Sequence, residues 1–425
     1  MKTRIKEKSL YNCILASLFI QMLLFPKLLM WIKLLFIIIA VVLCLDMGRR
    51  SFKIDRGGKI LLAYIFWNVM EILIGIANNA GMTGIREGTV TVVWPLAFLI
   101  LAGIKVNREQ LKWLYKIIIM MTFVLCIADI VFIFSEQLGL YAVRDIFVRL
   151  NRNTPLAILF GGTYPAFRVD HLYFYAFLAP FMITVIVCQN RSTFSEIGIS
   201  KKFTMWTAIL AIILAVLSGM GGIWFACVIG ALLCLRRLNI RNIQKMFPLI
   251  VFGVFILICF CIYSYLNGGM VYGIVCEVIN RLFPQSPALI SVDDLVRKNQ
   301  AEAMLKSWAE SPFIGHGSGY PVEYYRGNEI VLETDSELMY LTILYQRGIV
   351  GLGLFLAVII YVVELLHKRN GIEWLTWPFS VGMISFMAAN IFNPYFSNMS
   401  MMWIVYFPFL ISSNNIYEEK ACEKC

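Results

Sequence analysis

The side chains best suited to chemistry in this sequence are arginines and acids that gather late in the chain. Arg297 opens the segment Arg297-Lys-Asn-Gln-Ala-Glu-Ala-Met-Leu-Lys-Ser-Trp308, whose pattern predicts a short amphipathic helix. Asp293 and Asp294 stand just ahead of it and suit its N-terminus. Ser311-Pro312-Phe-Ile-Gly315-His-Gly317-Ser-Gly319 follows. Pro312 ends the helix, and the glycines allow a tight turn with exposed backbone N–H groups. Glu333-Thr-Asp335-Ser-Glu337 then opens an apolar run that continues through Arg347-Gly348-Ile-Val-Gly351. A guanidinium is a planar fork that grips phosphate or carboxylate at two points. Arg297, Arg168, Arg347 and Arg281 are therefore candidate ligands for an anion. Asp335 and Glu337 are candidate proton acceptors or orienting groups, since a carboxylate near an apolar run can have its pKa raised by burial.

Each candidate has a plainer reading. Arg297 can pair with Asp293, Asp294 or Glu302, and Asp335 and Glu337 can cap the helix they precede. Arg281 and Arg326 read more simply as solvated loop charges, and His316 as a structural histidine in the glycine turn. Arg347 lies nearly three turns inside an apolar run, where a charge is costly and faces a cavity or a partner. Arg168, Asp170 and His171 form a possible interfacial cluster.

The elements that carry these residues are set by composition. Of 425 residues 60% are hydrophobic and 15% charged, against about 25% charged in a soluble domain. The expected fold is all-α: one polytopic transmembrane domain over 1–425 with about twelve helices. Runs of suitable length fall near 9–25, 27–46, 59–77, 88–104, 114–135, 171–188, 203–219, 222–235, 246–266, 337–364, 374–392 and 397–413. No small-residue cleavage site follows the first run, which reads as a retained helix. The net charge of +11 does not indicate nucleic acid, because the basic residues sit in short loops between apolar runs. Most cysteines lie within those runs as small hydrophobes, and the terminal Cys422-Glu-Lys-Cys425 has no second pair to complete a zinc site.

With the N-terminus inside, every inner loop is basic, as at Arg49, Arg50, Lys53, Arg56 and Lys59, or Arg236, Arg237, Arg241 and Lys245. This predicts a multi-pass protein of the cell inner (plasma) membrane with both termini cytoplasmic. Two long loops then lie outside, 136–170 and 267–336, and the second carries most of the candidate residues before the tenth helix. Outside, arginine outnumbers lysine, which membrane orientation does not explain and an anionic ligand does.

An arginine opening a helix, a Pro-Phe-Ile-Gly-x-Gly turn and a polar residue some three turns before Gly348-Ile-Val-Gly351 together resemble the O-antigen polymerase and O-antigen ligase superfamily. These are integral-membrane glycosyltransferases of the GT-C type that use undecaprenyl-diphosphate sugars. The resemblance is strongest over 297–353. It implies that Arg297 holds the lipid diphosphate, with Arg168 a further basic residue before the sixth span. It also implies a polysaccharide repeat-unit polymerase needing no cofactor and no metal. Its partners would be an undecaprenyl-diphosphate-linked oligosaccharide, membrane lipid, and, as further proteins, a chain-length regulator and a flippase. In the ligase branch a histidine stands where Glu337 stands here, which favours the polymerase. Trp308, Tyr320, Tyr324 and Tyr325 could then stack on sugar rings or form an aromatic belt. A secondary transporter is the remaining alternative, suggested by Asp46-Met-Gly48-Arg49-Arg50, but no half-to-half repeat accompanies it.

Overall fold

In lipid no water is present to satisfy the backbone, so apolar runs close their own hydrogen bonds as helices. The computed structural model describes residues 2–26, 30–48, 56–101, 108–137, 139–150, 169, 171–188, 191–218, 220–236, 292–334, 336–367 and 373–412. Among the described residues, ten α-helices precede residue 237: α1 Lys2–Leu24, α2 Met30–Gly48, α3 Arg56–Ala77, α4 Gly81–Leu101, α5 Arg108–Gln137, α6 Tyr141–Leu150, α7 Tyr175–Cys188, α8 Arg191–Ile197, α9 Lys201–Leu217 and α10 Gly221–Leu235. Then come α11 Val292–Glu310, a hairpin of β1 Val322–Arg326 and β2 Glu329–Glu333, α12 Met339–His367, α13 Glu373–Ala389 and α14 Trp403–Ser412.

The described residues are mostly helical, as composition led one to expect, with one short antiparallel hairpin beside the helices. Among the described residues α3, α4, the Glu109–Ile133 part of α5, and α12 are long and apolar enough to cross a membrane. Cys13–Leu24, Trp31–Leu43, Leu172–Val187, Gly221–Leu235 and Trp374–Ala389 are shorter apolar helices. The span expected at 246–266 lies outside the described residues. α7 is buried at the centre, between α9, α10 and α13. Phe177 on α7 meets Phe379 on α13 and Trp403 on α14 edge to face, at 5.1 and 5.4 Å. Lys33 on α2 is buried and donates to the Phe25 and Pro26 carbonyls after α1 and to Ser400 Oγ, which ties the first hairpin to the turn before α14.

Several boundaries depart from the sequence reading. α4 begins at Gly81 rather than near 88, so Arg86 and Glu87 lie on a helix and not in a loop. The loop 136–170 contains α6, which carries Arg144 and Arg149. The expected helix at 297–308 runs from Val292 to Glu310, which takes Asp293 and Asp294 into its first turn. The hairpin has no counterpart in the sequence reading.

The largest departure concerns the glycine turn. α12 is broken at Gly348, where φ is 64° and ψ −175°, so the first half leaves orphan carbonyls and the second half orphan N–H groups. Residues 312–319 supply both kinds of partner. The N–H groups of Ile349 and Val350 donate to the carbonyls of Pro312 (2.9 Å) and Phe313 (3.2 Å). In return the N–H groups of His316 and Gly317 donate to the carbonyls of Tyr345 (3.1 Å) and Gln346 (2.7 Å). The Ser318 N–H donates to the Glu71 carbonyl on α3 at 2.9 Å. The N–H groups expected to be exposed are therefore spent inside the fold, because a broken helix must have its backbone satisfied by another segment.

The fit is backbone against backbone. A Cβ on Gly348 would meet the Phe313 carbonyl, and one on Gly317 (φ 92°) would meet the Gly75 backbone. Gly348→Ala or Gly317→Ala is expected to destabilise the purified protein by roughly 2–5 kcal/mol, combining left-handed strain with overlap. Gly353→Ala, with nothing within 4 Å of its added Cβ, serves as the neutral control. Thermal unfolding in detergent checks this, and equal melting of Gly348→Ala and Gly353→Ala would contradict the interlock.

Candidate functional site

α11 reaches its place through a small core of its own. Val296 and Met304 pack with Val322, Tyr324 and Tyr345, so the helix is held by β1 on one side and α12 on another. Gln300 Nε2 donates to the buried Tyr324 hydroxyl at 2.8 Å, and that hydroxyl donates to Glu333. Burial and then the Glu333 bond push the Tyr324 phenol above its ordinary pKa. This docking brings Arg297 to the segment entering α12. Its Nε donates to Glu337 Oε2 at 2.7 Å.

Arg297 thus pairs with an acid forty positions away in the sequence, and Glu302 faces Lys298 at 3.8 Å. Glu337 does not cap α12: the Ser336 hydroxyl accepts from the Leu338 N–H at 3.1 Å and bonds Thr342 Oγ1 at 2.7 Å. The Arg297–Glu337 pair is about one-third exposed on the arginine side and 41% on the glutamate side. An exposed pair of this kind contributes about 0–1 kcal/mol, so a ligand can exchange with either partner at small cost.

Tyr395, in the turn between α13 and α14, lies within the electrostatic reach of the pair. Burial raises its phenol above the ordinary pKa range, Tyr173 adds to this, and the Arg297 guanidinium pulls it back. Tyr173 stacks on it with ring centroids 4.8 Å apart. A Cβ at Gly222 would lie 2.9 Å from the Tyr395 hydroxyl and 3.2 Å from Asn393 Nδ2, so a glycine in the first turn of α10 makes room for both. Tyr395, Tyr173 and Asn393 were not singled out in the sequence. The one signal for them is the polar, Pro-containing turn Asn393-Pro-Tyr395 between two apolar runs.

Arg347 occupies a different place. It is 7% exposed, and its Nη1 donates to Asn68 Oδ1 at 2.5 Å and reaches Tyr64 Oη at 3.4 Å, both on α3. The Glu71 carboxyl lies close enough to interact electrostatically with it. Arg347 lines a cavity of about 730 Å³, together with Arg86 and Glu87 of α4, and Arg297 does not line it. Thr334 and Ser336, on either side of Asp335, line it too. Asp335, Arg168 and Arg281 lie outside the described residues.

Of the aromatic and histidine candidates, most are structural. His316 bonds the Ser307 carbonyl at 2.8 Å and stacks on Tyr320, and Trp308 Nε1 donates to the Pro312 carbonyl at 3.1 Å. Arg326 Nη1 lies 3.1 Å from Glu333 across the hairpin, and Tyr325 is exposed. His171 does not join an interfacial cluster with described residues. It is buried against Asp129 of α5 at 2.6 Å, and Tyr175 Oη donates to the other oxygen of that carboxylate at 2.7 Å.

Fold and site together define an α-helical chain with membrane-length helices, one of them broken and closed by a returning loop, beside which an Arg–Glu pair and an arginine-lined cavity lie. Neither a protein-family model nor a curated protein sequence matches the chain.

The Asp129–His171 and Arg297–Glu337 contacts differ in what they hold. Losing one partner of a buried pair costs roughly 3–5 kcal/mol, whereas an exposed pair is worth at most about 1 kcal/mol. His171→Ala is expected to unfold far more readily than wild type in denaturant titration, while Arg297→Ala stays within about 1 kcal/mol of it. Comparable losses in the two variants would show that Arg297 is a structural residue.

Proposed function

We propose that this chain is a membrane glycosyltransferase, a polysaccharide repeat-unit polymerase working at the outer face of the cytoplasmic membrane with both termini cytoplasmic. It would transfer an undecaprenyl-diphosphate-linked glycan to the end of an acceptor repeat unit. The observation that carries the reading is the Arg297–Glu337 contact at 2.7 Å, a guanidinium and a carboxylate held side by side, partly exposed, where α11 crosses the entry to α12.

The chemistry follows from those two groups. The acceptor hydroxyl oxygen attacks the anomeric carbon, the bond from that carbon to the diphosphate oxygen breaks, and its electron pair leaves on the diphosphate. Arg297 stabilises the charge that develops there. The hydroxyl proton passes to the Glu337 carboxylate. In the resting pair each group neutralises the other. A diphosphate that takes the guanidinium releases the carboxylate as proton acceptor, so the base is armed only when the donor is bound. Basic inner loops and the arginine-rich outer segments support the assigned sidedness.

Arg297→Ala and Glu337→Gln, each expressed in place of the natural chain, are expected to cut polymer formation by about 100-fold or more. Cell glycan on a gel would then collapse from a ladder to single repeat units. Long chains stranded on the lipid carrier would point to the ligase reaction instead, and a normal ladder in both variants would contradict the site.

A further inference from the structure

We propose that the cavity lined by Arg86 and Arg347 is a second anion site, separate from the Arg297–Glu337 pair, and that it takes the headgroup of a prenyl diphosphate. The identity of the lipid rests on the polymerase reading above.

Its volume of about 730 Å³ is within the roughly 300–1,000 Å³ of small-ligand sites. Two guanidinium groups line it from different elements, Arg86 exposed on α4 and Arg347 buried on α12. Arg347 Nη1 is taken by Asn68 and Glu71 interacts with the guanidinium electrostatically, but among the described residues the buried Nε has no hydrogen-bond acceptor. A buried, unsatisfied charged donor is costly, and an anionic oxygen is the partner that relieves it. The remaining lining has two characters. Thr83 and Thr334 offer hydroxyl groups to phosphate or sugar oxygens, while the Thr91 and Thr342 hydroxyls and the Gln346 amide already donate within the fold. Met82, Val90, Met339, Ile343 and Met402 offer carbon to a hydrocarbon chain. That combination fits a diphosphate joined to a prenyl chain better than free pyrophosphate.

The cavity and the Arg297 pair share walls. Ser336 lines the cavity, and the next residue, Glu337, holds Arg297. Pro394 and Phe396 line the cavity, while Tyr395 between them lies in the field of Arg297 and Glu337. Two thin chain segments thus present alternate residues to the two sites. A polymerase has two lipid-borne substrates, and this arrangement gives each diphosphate its own arginines across one partition.

The test uses the purified full-length chain in lipid nanodiscs, titrated by calorimetry with farnesyl diphosphate and separately with inorganic pyrophosphate. The expected result is two farnesyl diphosphates per chain. Arg86→Glu, at an exposed position, should weaken one site at least tenfold and leave the other unchanged. Glu87→Gln should tighten that same site several-fold by removing a negative charge from its wall. Arg297→Ala should remove only the site at the Arg297–Glu337 pair and leave the Arg86-dependent site intact. A single site that is lost with Arg297→Ala and indifferent to Arg86→Glu would overturn the proposal. Equal affinity for inorganic pyrophosphate at the Arg86-dependent site would overturn the prenyl assignment. Two sites with these dependences, alongside a normal glycan ladder in cells lacking the chain, would sink the polymerase reading and leave the second site standing.

Discussion

A helix interrupted at Gly348 must find partners for its orphan backbone groups, and everything near the candidate site depends on how it does so. The returning segment 312–319 makes the exchange with Tyr345, Gln346, Ile349 and Val350 and fastens itself to α3 through the Glu71 carbonyl. Each such bond contributes only about 0.5–1.5 kcal/mol net, but leaving the same groups unpaired in an apolar setting costs several times that. The constraint therefore fixes the relative position of α3, the loop and both halves of α12. Arg347, the residue just before the break, is held against Asn68 and Tyr64 by the same exchange.

The placement of charge follows from that scaffold. α11 ends at Glu310, immediately before the returning segment, so fastening the loop also sets where α11 crosses the entry of α12. Arg297 meets Glu337 there, near the surface, while Arg347 stays buried along the cavity. Four arginines were grouped by chemistry in the sequence. The fold divides those it describes between two neighbouring places, with the segment around Ser336 and the turn around Tyr395 between them. The buried Asp129–His171–Tyr175 cluster belongs to neither place and ties α7 to α5.

Much of this architecture was legible in the residues and some was not. Long apolar runs announced the helices, because hydropathy over about 20 residues is a strong local signal. Arg297 and Glu337 were both identified, yet their pairing was not, since forty residues of intervening chain carry no record of which acid an arginine will face. The glycines at 315, 317 and 319 were read for a free turn, and Gly348 only as part of the Gly348-Ile-Val-Gly351 pattern. Their actual use is close backbone approach between distant segments, and a glycine pattern looks the same in both cases. The hairpin 322–333 was missed, as its Arg326-Gly327-Asn328-Glu329 turn is weak against the surrounding polar sequence. Tyr395 could not be weighed without knowing that its turn folds onto Gly222.

Hydrogen–deuterium exchange on the full chain in nanodiscs tests the central constraint most directly. Peptides covering 312–319 and 345–351 should exchange slowly and together, at rates near those of the α12 interior, because their amide protons are shared across the break. Rapid exchange in 312–319 while α12 remains protected would contradict the account, since it would mean that the loop is a solvent-facing turn and the helix closes its break in another way.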